Sequence, residues 1–349
     1  LVINIGIKYN LYDFIDTRKE KKIPTVRIGG MAITFGFISS IIFLDKFFYD
    51  QILHQSDFNY LNLIVIIGIF FSILGLLDDL FNISAIKRLI IQIFSGLIIS
   101  FVFFNIKTIS LYFMNIDLLD FNIPYIASVL ITILWLVGIT NAFNWLDGLD
   151  GLLIGLSVIY STAFLIVSFN SQNIFPFIHS SALLGASIGF LKYNRYPAKI
   201  FMGDSGSYFV GINMASLAIM SCNNNISFEN QFTNIIGIEI SSFFPLMIFL
   251  LPIFDMIFVI VKRINDNKSI FYPDRNHLHH RILKLGLNER KVVHKIYHFA
   301  LITTIFSFTN IKNLEVISFF LTLSLVYFFI LRNKENQKLF MSIVILNKV

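Results

Sequence analysis

Asn141, Asn144, Asp147 and Asp150 recur at every third position in Asn141-Ala-Phe-Asn144-Trp-Leu-Asp147-Gly148-Leu-Asp150-Gly151-Leu152, directly after a run apolar enough to cross a bilayer. On a continued helix that spacing puts amides and carboxylates on neighbouring parts of one face. Such a set can share a hard cation with the phosphates of a ligand, because Mg²⁺ prefers oxygen ligands. Gly148 and Gly151 let the backbone turn or a ligand come close. A plain turn between two helices would account for one Asn or one Asp-Gly, but poorly for the whole set.

Three more clusters lie just beyond apolar segments. Asp78-Asp79 precedes Lys87-Arg88, and adjacent carboxylates repel unless a cation or proton donor stands between them. A water-exposed pair bridged to Lys87 or Arg88 is an equal alternative. Phe201-Met-Gly-Asp204-Ser-Gly-Ser207 has the composition of a tight loop entering a helix, with Ser205 or Ser207 able to cap. Helix N-termini bind anions, and Asp204 there could hold a metal that bridges to phosphate; a capped turn is again an equal alternative. His277-Leu-His279-His280-Arg281 could be read as a zinc site. Pro273, Asp274, Arg275, Arg281 and Lys284 surround it, however, and that much positive charge suits phosphate better. Asp255 is a lone carboxylate inside an apolar segment, where function is the default and a hydrogen bond to another helix the rival. His54, His179, His294 and His298 are expected to be structural or incidental.

The elements that must position these groups are membrane helices. A chain that is 56% hydrophobic and 14% charged, with a mean hydropathy of +0.75, is not a soluble domain. Runs of spanning length lie near 28–48, 58–77, 86–104, 124–143, 152–169, 176–191, 206–222, 243–261, 296–311 and 314–331, about ten in all. With 1–27 placed in the cytoplasm, alternation puts 24 of the 27 Lys and Arg on the cytoplasmic side, all but Lys46, Lys107 and Lys312. The positive-inside rule therefore fixes the orientation, and all four polar clusters emerge in the cytoplasm, on loops at about 78–88, 141–151, 192–205 and 262–295. The same asymmetry explains the net charge of +6 without nucleic acid. The single cysteine, Cys222, excludes a disulfide framework and any Cys-based metal site. The chain opens at Leu1 in a short apolar stretch that reads as the end of an earlier helix. The expectation is one all-α integral membrane domain over 1–349, with its polar site at the cytoplasmic helix ends.

Taken together and in order, these blocks resemble the polyprenyl-phosphate N-acetylhexosamine-1-phosphate transferases, glycosyltransferase family 4, from about Arg18 to Gly286. Arg18-Lys19-Glu-Lys21-Lys-Ile-Pro24-Thr-Val26-Arg27-Ile-Gly29-Gly30 is similar to the family's RKxHxxPxPRxGG, with Lys21 and Val26 departing from it. The aspartate pair, NxxNxxDGxDGL at 141–152, FxGDxGS at 201–207 and the HLHHR element follow. HLHHR after Pro273-Asp274 is similar to the WecA/TagO branch rather than to the HHH form of the peptidoglycan branch.

The resemblance implies a Mg²⁺-dependent enzyme of the bacterial cytoplasmic membrane, with Mn²⁺ as a substitute. It would transfer a HexNAc-1-phosphate, GlcNAc-1-phosphate foremost, from a UDP-sugar to polyprenyl (undecaprenyl) phosphate, releasing UMP and making the first lipid-linked sugar of a cell-surface polysaccharide. Carried over by motif, Asn144 and Asp204 hold the metal. Phe201 stacks on uracil, Asp150 hydrogen-bonds it, and Asn141, Arg27, Lys19, Arg88 and Arg281 bind substrate. Asp78, Asp79, Asp147, His277, His279 and His280 are the catalytic set. The expected partners are a UDP-HexNAc, the lipid phosphate and the membrane, with a homodimer as an open alternative and no nucleic acid. A polytopic transporter using Asp255 as a proton relay is the rival. It should show polar residues near span midpoints and an internal repeat, whereas here they cluster at span ends.

Overall fold

The computed structural model describes residues 1–12, 25–52, 55–102, 108–113, 116–122, 124–170, 174–222 and 244–308. Within them the chain is mostly helical. After the short α1 (Val2–Lys8) come α2 (Gly30–Ile52), α3 (Gln55–Phe81) and α4 (Ala85–Val102). Then follow α5 (Tyr125–Leu146), α6 (Leu152–Asn170), α7 (Ile174–Asn194) and α8 (Gly203–Cys222). The last are α9 (Phe244–Ile248), α10 (Leu250–Asn265), α11 (Leu278–Leu283) and α12 (Glu289–Ser307). Among the described residues four segments are long and apolar enough to cross a membrane by length and composition: Leu63–Phe81, Tyr125–Leu146, Leu152–Asn170 and Ile174–Asn194. The other predicted runs through 296–311 also fall on helices, while 314–331 lies outside the described residues. So do Lys19 and the rest of 13–24.

The all-α expectation needs one correction. Thr108–Phe113 (β1) and Ile116–Asn122 (β2) pair antiparallel, Thr108 opposite Asn122 and Phe113 opposite Ile116. Thr108-Ile-Ser-Leu-Tyr-Phe113 alternates apolar and polar positions with a period of two, a strand pattern too short to stand out between two long apolar helices.

Helix α8 is the hub. It packs against α2, α3, α5, α6, α7 and α9, and its residues from Tyr208 to Met220 are almost wholly buried. Water cannot drive helices together inside lipid, so small residues that let backbones approach closely carry the association. Gly75 on α3 faces the Asp204 backbone at the start of α8, and a methyl there would overlap that carbonyl. Polar pairs lock the same contacts. His179 on α7 bonds Asn213 on α8 at 2.8 Å, and the Trp135 indole on α5 donates to the Ala215 carbonyl at 3.1 Å. His179 is thus structural, as the sequence suggested.

Pro252 cannot donate to the carbonyl of Ile248, and there the helix breaks into α9 and α10 around Phe249. From 244 to 265 the two pieces still reach about 33 Å at 1.5 Å per residue, enough for the hydrocarbon core.

Candidate active site

The start of α8 gathers the first half of the site. Gly203 has a φ of +68°, a left-handed conformation, and a side chain there would also meet the Arg27 carbonyl and the Asp79 carboxylate. The turn delivers the backbone N–H groups of Asp204 and Ser205 to Asp79, at 3.0 Å to Oδ1 and 3.1 Å to Oδ2. Asp79, at the end of α3, therefore caps α8, where a carboxylate also suits the helix dipole. Its Oδ1 takes Arg27 Nε as well, at 2.8 Å. Asp78 faces the other way, paired with Arg88 of α4 and reached by the Tyr208 hydroxyl at 3.5 Å. Both side chains are 4% exposed or less. The surface-pair alternative therefore fails.

Asp204 stands between the two guanidinium groups, 3.4 Å from Arg27 Nη2 and 3.8 Å from Arg88 Nη1. Its other oxygen accepts from Asn144 Nδ2 at 2.8 Å, and that amide also reaches Ser207 Oγ at 2.9 Å. Asn144, on the last turn of α5, thus joins the cluster. Asn141, one turn earlier, points its amide nitrogen at Gln92 of α4 at 2.6 Å instead. Burial first, and then the charge of Asp204, push the Asp147 carboxyl up to about 7. Asp204 is 20% exposed, the most accessible carboxylate among Asp78, Asp79 and Asp204. Among the described residues no group of three or more His, Cys, Asp or Glu makes a metal cage of its own. Mg²⁺ does not require one, because it commonly takes one or two carboxylates and completes its shell with substrate phosphates and water. The donor set of Asp204 and Asn144 fits that mode.

The second half is the histidine loop, and Asp255 builds it. Deep in the bundle at 1% exposed, Asp255 accepts from His277 Nδ1 at 2.9 Å and from the Leu278 N–H at 2.6 Å. It also lies 3.5 Å from Arg281 Nη2. One carboxylate thus caps α11, orients His277 and pairs Arg281. Trp145 carries the contact across to α5. His277 meets its ring edge-on at 5.5 Å, and the Arg263 guanidinium lies over it at 4.9 Å. Arg263 is itself buried and bonded to Asp274 at 3.0 Å. His279 stacks parallel to His277 at 5.9 Å and packs on Gly148, where a methyl would overlap its Nε2. Neither ring nitrogen of His279 has a hydrogen-bond partner among the described residues.

Burial, then the neighbouring His277, Arg275 and Lys284, hold His280 down to about 4, and burial, then His280, His277 and Arg281, hold His279 well below the ordinary histidine range. Both are neutral at pH 7. A histidine depressed in the fold keeps its protein stable above the unfolded value of about 6.5 and costs stability as pH falls from there toward 4. His280 is half-buried, so solvent screening leaves an effect on the order of 1–2 kcal/mol. Melting the solubilised protein at both ends of that window should show a larger drop for the wild type than for His280→Gln. Equal drops would remove His280 from the account.

Asp150 is buried, and one oxygen accepts from the Ala198 N–H at 2.8 Å, tying the 192–205 loop to the turn. Phe201 is half-buried, its backbone paired with Val26 and Gly29. Sequence reasoning missed Tyr297. Its hydroxyl donates to the Gly151 carbonyl, and it fills the space that a side chain on Gly155 would need. Gly155→Ala should destabilise the fold by about 1–3 kcal/mol, and Tyr297→Leu in the same chain should recover most of that. A melt of the double variant no better than Gly155→Ala alone would rule the contact out.

These features define a helical membrane protein with a polar, charged site where α3, α5 and α8 meet. The profile of the family described as Glycosyl transferase family 4 matches residues 61–222. The chain is 33% identical over 334 residues to a probable undecaprenyl-phosphate N-acetylglucosaminyl 1-phosphate transferase of Bacillus subtilis (strain 168), covering 95% of this chain and 85% of that protein. It is 31% identical over 309 residues to the decaprenyl-phosphate N-acetylglucosaminephosphotransferase of Mycobacterium leprae (strain TN), covering 84% and 76%. A phospho-N-acetylmuramoyl-pentapeptide-transferase of Thermoanaerobacter sp. (strain X514) is 30% identical over 314 residues, covering 84% and 86%. The chain belongs to glycosyl transferase family 4, a family of membrane phosphotransferases.

Proposed function

We propose that this chain transfers GlcNAc-1-phosphate from UDP-GlcNAc to a polyprenyl phosphate at the cytoplasmic face of a bacterial inner membrane, releasing UMP. The observation that carries the reading is the convergence of Arg27, Arg88, Asn144 and Asp204 at one end of the bundle, with the histidine loop seated on the same turn through Gly148. A lipid acceptor keeps its tail in hydrocarbon and its phosphate at the surface, while the nucleotide sugar is water-soluble. Only helix ends meet both.

An oxygen of the lipid phosphate forms the new bond to the β-phosphorus, and the bond from that phosphorus to the bridging oxygen breaks. UMP leaves with that oxygen. The second pKa of a phosphate monoester is about 6, so the attacking group is already mostly dianionic and no strong base is required. Positioning and charge neutralisation then dominate. Arg27 and Arg88 turn their guanidinium groups toward the phosphates, and His279 offers its one ring N–H to the sugar phosphate. Mg²⁺, held by Asp204 and Asn144, supplies charge neutralisation at the diphosphate when bound. Asp150 and Phe201 are assigned to the uracil, and Asn141, Lys19 and Arg281 to substrate binding.

The HLHHR form and the identity to the GlcNAc-transferring relatives favour GlcNAc over the muramoyl pentapeptide. Purified protein incubated with undecaprenyl phosphate, Mg²⁺ and a panel of UDP-sugars should release UMP fastest with UDP-GlcNAc. Release confined to UDP-MurNAc-pentapeptide would move the chain to the other branch, and no release with any sugar would overturn the reading.

A further inference from the structure

The turn that leaves α10 carries side chains for which the transfer reaction has no use. Ile264 near the helix end is 57% exposed, and Ile270, Phe271 and Tyr272 stand outward at 40, 36 and 48%. Three consecutive apolar or aromatic side chains facing water are a standing cost. Their backbone is nevertheless firmly built. Lys268 N–H bonds the Arg263 carbonyl at 2.8 Å, Tyr272 N–H bonds the Ser269 carbonyl at 2.9 Å, and the buried Arg263 guanidinium braces the Ile270 carbonyl. The tip is presented, not loose.

Its surroundings say what it is presented to. Ile257 and Ile264, seven residues apart, share one exposed face of α10, an apolar stripe that leads to the turn. Lys262 ends the same helix, and Lys268 lies over the Tyr272 ring at 5.2 Å with Asp266 at 3.9 Å. Tyr and Lys in that arrangement match the boundary where acyl chains give way to headgroups.

We propose that the 264–272 turn is a membrane-interface anchor. Ile264, Ile270, Phe271 and Tyr272 seat in the acyl–headgroup boundary of the leaflet from which α10 emerges, and Lys262 and Lys268 meet the anionic headgroup phosphates. A lipid surface is favoured over a protein partner because the apolar tip continues the exposed apolar stripe of α10 and is flanked by Lys262 and Lys268. The proposal rests on α9 and α10 being a membrane span. Its consequence is depth control. Pro273 and Asp274 link the tip to His277, so seating the tip sets the height of the histidine loop above the lipid phosphates.

The test uses the full chain in nanodiscs containing anionic phospholipid. In a Cys222→Ser background, an environment-sensitive fluorophore is placed at Phe271→Cys, with Tyr272→Cys as a second position and the exposed Leu285→Cys as control. The label at 271 or 272 should be quenched by headgroup-level nitroxide lipids about twofold more than at 285, and by iodide about twofold less. Iodide reaching 271 and 272 as freely as 285 would overturn the anchor. So would shielding that appears only with two copies per disc, which points to a second chain. Neither readout uses transfer activity, so a failed anchor and a failed transferase reading remain distinguishable.

Discussion

Asp79→Asn is expected to lose UMP release by roughly 10³-fold and to recover none of it when the pH is raised by about two units, a range over which the wild type stays flat. The reason lies in what Asp79 already holds. Its Oδ1 accepts from the Asp204 N–H and from Arg27, and its Oδ2 accepts from the Ser205 N–H. An asparagine offers one acceptor oxygen and turns an N–H₂ toward a backbone donor, so the α8 N-terminus loses half its cap and Arg27 its anchor. Asp204 then shifts from its place between Arg27 and Arg88. A residue acting as a general base would behave differently, because a more alkaline medium would supply the missing deprotonation. Full recovery at high pH would assign Asp79 to proton removal. Asp78→Asn should follow the same pattern through Arg88 and Tyr208.

The second large effect belongs to Asp255. Asp255→Ala leaves a buried arginine, a buried histidine and a helix N-terminus without their acceptor, and breaking such a set costs about 3–5 kcal/mol. Asp255→Asn keeps one oxygen for the Leu278 N–H and gives up the ionic contact with Arg281. Its transfer rate should fall about 10²-fold, with a smaller drop in melting temperature than Asp255→Ala. Stopped-flow UMP release beside a melt separates the two variants. A proton relay in a transporter would instead leave histidine-loop geometry unchanged in Asp255→Asn, so a protease footprint around 274–284 identical to wild type would count against the positioning role.

The site was legible in the sequence to the extent that its residues had to be polar where polarity is costly. Asp78, Asp79, Asn144, Asp204 and the histidines all stand out against apolar runs, and the structure brings them to one end of the bundle. Direction was not legible. Asn141 and Asn144 are one turn apart on α5, yet one faces Gln92 and the other Asp204, because which neighbour a helix face meets is decided by packing. Asp255 read by default as functional, with a hydrogen bond to another helix as the rival, until His277, 22 residues away, was seen to close on it. Tyr297 and Arg263 carried no local signal. An aromatic in an apolar helix and a cation at a helix end are ordinary residues, and only the glycine floor under one and the indole under the other show their use. The β-hairpin escaped for the opposite reason, its alternation being brief beside the helices that flank it.

Arg27 and Arg88 each possess a carboxylate within the protein, Asp79 and Asp78, while both lean toward Asp204. The resting enzyme thus carries its own mimic of an anionic ligand. Any anionic ligand that enters there must displace an internal carboxylate, which weakens its ground-state grip.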